Sequence, residues 1–487
     1  MRRFVPAAVV LWVAVFCSAQ VSLSPAVKAY VSVDAPVVAL THVRVIDGTG
    51  AAAREDQTVV ISGGRIQAAG PASSTPAPAG AKVMDLAGYT VIPGLVGMHD
   101  HLFYPGGNGY NELDFSGPRL YLAGGVTTIR TTGSIEPYTD LSLKGLIDAG
   151  RAPGPRIFVT GPYLEGAGAF TAQMHQLRDA DDARRTVEYW ISEGVNNFKA
   201  YMNITRAELS AAIDAAHQHK LKVTGHLCSI GFREAAALGI DDLEHGLLVD
   251  TEFTPGKQPD RCPSETQTGT IIAKLDLHSA PVQDMIRDLV SHHVAVTSTL
   301  PVFETFVPNR PAMATTAAGS SRTTPSAYLQ KVLDAMLPEE RISYLRRRAA
   351  VAGTQDSPWP QAFRQELDFE YAFVKAGGLL LAGLDPTGYG GVVPGFGDQR
   401  EVELLVEAGF TPLEAIHIAT ANGAQFLGES EHFGTIAAGK AADLVVIHGN
   451  PAANISDIEK VEIVFKDGVG YDPAKLIEAT KGMVGLH

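Results

Sequence analysis

Hydrophobic and polar positions follow two different rhythms along the chain. From Val37 to residue 93, short runs alternate apolar and polar residues: VVALTHVRVID, TVVISGGRIQAAG and AKVMDLAGYTVIPG. A period of two places one side of each run against a core, so these segments predict half-buried strands. SGGRI, between two of the runs, is a hairpin signal. The same rhythm returns near the end of the chain in GTIAAGKAADLVVIHGNP and VEIVFKDGVGYD. Strands from the two ends are therefore expected to close one small composite β-sandwich domain, built from residues 37–93 and 431–487.

Residues 94–430 alternate strand-like and helix-like segments, the signature of βαβ units. The apolar strand candidates are TVIPGLVGMHDH, GVTTIRTTGS, PRIFVTGP, GVNNFKAYM, LKVTGHLC, DDLEHGLL, HVAVTSTLPVF and LLLAGLDP. Eight is the number a closed (β/α)8 TIM barrel requires, so the expected fold class is α/β with that barrel at its centre. Helices are expected over TRAELSAAIDAAHQHKL, where Thr205 and Glu208 form a capping box, and over DDARRTVEYWISEG and TPLEAIHIATANGAQFLG. Two insertions, about 252–278 and 309–368, break the rhythm and are expected to emerge as loops near the functional end of the barrel. The triplet Arg346, Arg347 and Arg348 reads as a solvated helix face.

The first residues change the picture at one end. Arg2 and Arg3 precede an apolar run over 4–16, and Cys17-Ser18-Ala19 offers a small-residue cleavage site. Residues 1–19 read as a secretory signal peptide cut after Ala19, followed by a linker over 20–36, for a secreted or periplasmic protein. No later stretch is long and apolar enough to span a membrane, so no membrane association is expected once the signal is removed. Among 487 residues, 45% are hydrophobic and 19% charged, which excludes a mostly disordered chain. A formal net charge of −14 argues against a nucleic-acid partner. Three cysteines, Cys17, Cys228 and Cys262, allow at most one bridge once Cys17 is removed, and exclude a cysteine-rich zinc site.

Chemistry gathers at the ends of the strand candidates. In His99-Asp100-His101, residues i and i+2 of a strand share a face, so two imidazoles can grip one metal ion. Lys199 lies near the end of an apolar strand, where a charge is costly. It either snorkels to the surface or, as a neutral amine, takes up carbon dioxide to form a carbamate able to bridge two cations. His226 ends LKVTGHL and His245 ends DDLEHG; each is a metal ligand or a hydrogen-bonded core histidine. Asp385 ends LLLAGLDP and either joins the same site or caps a loop before Pro386. Together these nitrogen and oxygen donors suit zinc or manganese, with no soft thiolate.

The pieces PGLVGMHDH, GVTTIRTTGS, FKAYMNIT, VTGHL, LEHG, AGLDP, TPLEAIHIATANGAQFLG and GTIAAGKAADLVVI, in this order, resemble the amidohydrolase superfamily of metal-dependent hydrolases. The resemblance covers nearly the whole chain after residue 19. It is strongest toward the branch holding imidazolonepropionase-related enzymes, Xaa-Pro dipeptidases and ochratoxin-hydrolysing amidases. It implies two divalent ions, with zinc expected. His99, His101 and Asp385 would hold one, His226 and His245 the other, with N6-carboxylated Lys199 between them. It further implies attack by a metal-bridging hydroxide, with Asp385 as general acid–base. Relatives often carry Thr where Leu384 stands and Asp where Thr131 follows Arg130. Neither departure removes a ligand, and both imply an unusual pocket.

Three further residues are candidate substrate contacts. Tyr201 shares a strand face with Lys199 and either meets substrate or packs in the barrel. His175, in TAQMHQL, falls where this branch often carries a substrate-contacting histidine. Arg130 either meets a substrate carboxylate bidentately or is a structural ion-pair arginine. His217, His219, His292 and His293 lie away from the strand tips and read as structural. The implied function is hydrolysis of an amide or peptide bond in a small molecule of the dipeptide, Xaa-Pro or N-acyl amino acid type. A cyclic-amide hydrolase or deaminase is the alternative within the fold, although deaminases of this kind typically lack the bridging lysine. A non-catalytic scaffold is the third reading, set against the full ligand set. Relatives are commonly homo-oligomers.

Overall fold

A computed structural model describes residues 22–486, apart from 108, 312 and 316–322. The expected signal peptide, residues 1–19, lies outside the described residues.

The alternating runs form one nine-stranded sheet. Its order is Val31–Val33, Val469–Tyr471, Val461–Lys466, Leu444–His448, Tyr89–Pro93, Val37–Val45, Arg54–Ser62 and Arg65–Pro71, with Lys82–Asp85 pairing beside Val37–Val45. The two ends of the chain meet where Val445 lies opposite Ile92 in antiparallel register. Val38, Leu40, Val59, Val91, Val446 and Phe465 fill a separate hydrophobic cluster on this sheet. The expected sandwich is thus a single hydrogen-bonded sheet enclosing its own core, not two sheets. SGGRI is the predicted hairpin: Gly63 and Gly64 both take positive φ, 57° and 77°, which the primed turns require and glycine adopts without strain. The linker expected over 20–36 is corrected. Pro25–Lys28 is a helix capped by Ser24, and Val31–Val33 extends the sheet by pairing with Val469–Tyr471.

The middle of the chain is mixed α/β. Eight parallel strands are labelled in chain order: β1 Leu95–Asp100, β2 Val126–Thr131, β3 Arg156–Phe158, β4 Asn197–Ala200, β5 Lys222–Gly225, β6 Asp242–Glu244, β7 Ala295–Ser298 and β8 Leu380–Ala382. They pair as two sheets, β3-β2-β1 and β4-β5-β6-β7-β8. Backbone hydrogen bonds link the sheets at both margins. Asn196 donates to Val159 (2.7 Å) and Leu164 to Lys199 (2.9 Å) on one side, and Asp385 donates to His99 (3.0 Å) on the other. The expected helices form where the capping residues stand. Arg206–Gln218 opens with the Thr205–Glu208 box, and Ala180–Glu193 runs from Asp179 to a left-handed Gly194.

The 252–278 insertion carries the helix Glu265–Ile272 and is tied to the loop after β5 by a Cys228–Cys262 disulfide. The 309–368 insertion contributes Ala327–Ala335, Pro338–Ala352 and the start of Trp359–Lys375. The expected solvated face at the arginine triplet holds only in part. Arg348 turns inward and donates to the carbonyls of Arg310 and Pro311, which lack partners in regular structure.

The disulfide closes a loop across 34 positions. Cys262→Ser should lower the unfolding free energy by about 2–4 kcal/mol, read as a lower urea midpoint. An unshifted midpoint would mean that the 252–278 insertion contributes nothing to the cooperative unit.

Candidate metal centre

Every residue singled out as a ligand sits at the same end of the parallel strands. His99 is in β1 and His101 directly follows it; Lys199 is in β4; His226 and His245 follow β5 and β6; Asp385 follows β8. Ligand atoms of His99, His101 and Asp385 all lie within 4.8 Å of one another, and all three residues are buried. The Lys199 Nζ is 3.1 Å from His99 Nε2. His245 packs its ring 4.4 Å from those of both His99 and His226, centroid to centroid. His226 is half-buried and faces the adjoining cavity.

Each ring is aimed by what holds its other nitrogen. His99 Nδ1–H donates to Glu244 at 2.7 Å, leaving the Nε2 lone pair for the cluster. His101 Nδ1–H donates to the Gly133 carbonyl at 3.2 Å, with Nε2 3.6 Å from Asp385 Oδ1. His245 Nδ1 lies 2.8 Å from the Thr299 hydroxyl, and its buried Nε2 has no hydrogen-bond partner. Thr387 donates its hydroxyl to Asp385 Oδ1 at 2.7 Å. Close packing behind the cluster needs Gly383, because a Cβ there would lie 2.4 Å from the Cβ of His99.

Burial sets the protonation states. It holds the imidazoles of His99, His101 and His245 well below the usual histidine range, with nearby Lys199 contributing in each case. His226 falls to about 3 for the same two reasons. Burial also lowers the Lys199 ammonium to about 8, against the pull of Glu244 and Asp385. Asp385 rises to about 6 through burial, opposed by Lys199. Neutral imidazoles with free lone pairs, a carboxylate, and an orphaned buried nitrogen form a donor set that fits a divalent cation.

Of the three candidate substrate contacts, only Tyr201 lines the cavity beside the cluster, which measures about 460 Å³. His175 is corrected: it is exposed, with Nε2 near the Thr186 hydroxyl (3.4 Å) and outside the cavity lining. Arg130 is corrected to its structural alternative. It is fully buried and bonds Asp242 (2.9 Å), Glu244 (3.0 Å) and the Met98 carbonyl (2.8 Å). Both carboxylates bond the same Nη2, and the whole guanidinium is buried away from the cavity lining. His217 and His219 pair with Asp241 and Glu188 on the helical side, as expected for structural residues.

Glu244 and Thr299, which hold the candidate ligands His99 and His245, are the partners that sequence reading missed. Glu244 stood inside the quoted LEHG, and a glutamate in a three-residue buried strand was the available signal. Thr299 follows β7 with nothing local to mark it.

Residues 396–470 match the model of the Amidohydrolase family. A dihydroorotase of Pelobacter propionicus is 38% identical over 121 residues, 23% of this chain and 28% of that protein. An imidazolonepropionase of Caulobacter vibrioides is 28% identical over 243 residues, 39% of this chain and 60% of that protein. The chain therefore spans between about a quarter and three fifths of these relatives. A solved structure from Bifidobacterium longum, given a provisional prolidase assignment, has 25% identity and a TM-score of 0.63, covering 91% of this chain and 98% of its own. Residues 396–470 carry the amidohydrolase-family match, and these relatives and the fold neighbour are consistent with that superfamily.

Arg130→Ala would strand Asp242 and Glu244 as buried, unpaired carboxylates. It should lower stability by about 3–5 kcal/mol in urea unfolding. A variant as stable as the parent would contradict the structural role and return Arg130 to the substrate-binding candidates.

Proposed function

We propose that the protein is a metal-dependent hydrolase that cleaves an amide or peptide bond in a small molecule. The observation that carries this reading is the convergence of His99, His101 and Asp385 on one point, with Lys199 3.1 Å from His99. The family match and the hydrolase fold neighbours support a carbon–nitrogen bond as the target. The eight parallel strands support closure into a (β/α)8 barrel, because their two sheets hydrogen-bond at both margins and the cluster lies at the strands' C-terminal ends.

His99, His101 and Asp385 would hold one divalent ion, and His226 and His245 a second, with zinc the expected metal. The chemistry such ions supply is activation of water near neutral pH and polarisation of a carbonyl. Lys199 joins them as the carbamate: its buried amine, lowered to about 8, is neutral often enough to add carbon dioxide, forming an N–C bond and releasing a proton. Asp385 moves the proton of the reaction. Its carboxylate takes a proton from the attacking water and delivers it to the leaving nitrogen as the C–N bond breaks. Peptide frameworks of the dipeptide, Xaa-Pro or N-acyl amino acid kind fit the size of the adjoining cavity. The imidazolonepropionase relative favours a cyclic amide as the second reading.

The apolar 4–16 run with its flanking arginines supports export, and the Cys228–Cys262 bridge supports an oxidising destination. Among the described residues no helix is long and apolar enough to cross a membrane.

Asp385→Asn should keep the fold and lower kcat by about 10²–10⁴-fold, with freed amine read by mass spectrometry. Lys199→Ala should lose turnover and bound zinc together. Turnover within tenfold of the parent in the first variant, or full zinc content in the second, would overturn the assigned role.

A further inference from the structure

The cavity beside the cluster is built for a particular kind of molecule. One flank is aromatic: Tyr110, Phe170 and Tyr201 stand ring to ring at 6.3 and 6.1 Å. The other flank is aromatic too: Phe303 meets Phe306 at 5.8 Å, and Phe306 stacks on Trp359 at 4.9 Å and meets Tyr389 edge-on at 4.4 Å. The imidazoles of His226 and His245 join the flanks, 4.9 Å from Tyr201 and 5.6 Å from Phe303. The result is a continuous arc of rings whose middle is the candidate metal centre. Both insertions reach it, through Thr268 and Gly269 from the first and Trp359 from the second. Phe170 and Tyr389 remain 57% and 40% exposed, so part of each ring is open beside its aromatic neighbours.

Charge is as informative as shape. No lysine or arginine is found among the described residues lining this cavity. Nearby cations are engaged with carboxylates: Arg233 with Glu252, and Arg310 with Glu304 and Glu407. Lys257 donates to the Ser229 carbonyl. Away from the candidate metal cations, a substrate carboxylate held between the outer rings would meet no lysine or arginine among the described lining residues, and leaving a charge unpaired in an apolar site is strongly disfavoured. Flat apolar groups, by contrast, gain from edge and face contact with each ring.

Resting on the amide-hydrolase reading of this site, we infer that the substrate is an uncharged amide bearing an aromatic or comparably bulky apolar group. Free-carboxylate dipeptides and N-acyl amino acids are selected against. Within those frameworks the preferred molecules are the carboxyl-blocked ones, such as amides and arylamides. Phe306, which touches three other rings of the arc, is the central specificity residue.

The test compares N-benzoylphenylalaninamide with N-benzoylphenylalanine, and each with its N-acetyl counterpart, on the full chain supplied with zinc. Release of phenylalaninamide or phenylalanine is followed by mass spectrometry. Binding of the same molecules to Asp385→Asn is followed by calorimetry. The expected result is a kcat/KM at least about tenfold higher for the amide than for the acid, with benzoyl above acetyl. Phe306→Ala should shrink the benzoyl-over-acetyl ratio by about threefold or more. An acid turned over or bound as well as its amide, an unchanged ratio in Phe306→Ala, or no binding of either molecule would overturn the inference. Tighter binding of the amide without any turnover would leave the pocket assignment standing and defeat the hydrolase reading instead.

Discussion

The site depends on one buried chain of charge-assisted hydrogen bonds running from Arg130 through Glu244 to His99. Arg130 Nη2 lies 3.0 Å from Glu244 Oε1, and the opposite oxygen of Glu244 takes the His99 Nδ1–H at 2.7 Å. All three groups are fully buried. Without Arg130, Glu244 would be a buried carboxylate with no cationic partner. Without the Glu244 acceptor, His99 would lose the hydrogen bond that fixes the tautomer pointing its lone pair at Lys199 and Asp385. The guanidinium thus acts on the cluster from behind, two bonds away, which is a different kind of importance from touching substrate.

The fold supplies what that chain needs. Parallel strands bring Arg130 (β2), Glu244 (β6) and His99 (β1) into one interior while their connections remain outside. The turns after the strands then set the remaining groups, and two of them adopt backbone that non-glycine residues seldom visit. His245 has φ of 70° and Asp385 of 52°. Such conformations cost on the order of 1–3 kcal/mol and persist where the surroundings dictate them. Here the Asp385 backbone is pinned by its hydrogen bond to the His99 carbonyl, and that of His245 by one to Thr297. The strained positions are both donors to the cluster.

Much of this was legible in the chain. The strand ends carrying His99, Lys199, His226, His245 and Asp385 are short apolar runs that close on a polar residue, a pattern that survives without any structure. The Thr205 cap and the double-glycine hairpin were legible for the same reason, because their causes are local. The failures were all long-range. Whether Arg130 faces a ligand or a buried carboxylate is decided by Asp242 and Glu244, more than a hundred positions away. His175 lies in an irregular stretch whose spacing to the strands fixes no direction. The segment 25–33 looked like a linker because its strand partner, Val469–Tyr471, is at the other end of the chain. The aromatic arc was invisible for a related reason: its rings come from separate loops and both insertions, with no shared period.

The most direct test of the central claim is where a metal goes. Crystals of the full chain grown with zinc, measured at the zinc absorption edge, should show anomalous density enclosed by His99, His101 and Asp385. The account also predicts a second peak beside His226 and His245, with additional density on Lys199 Nζ. A well-ordered zinc at some other place, with these side chains bonded only to one another, would contradict it.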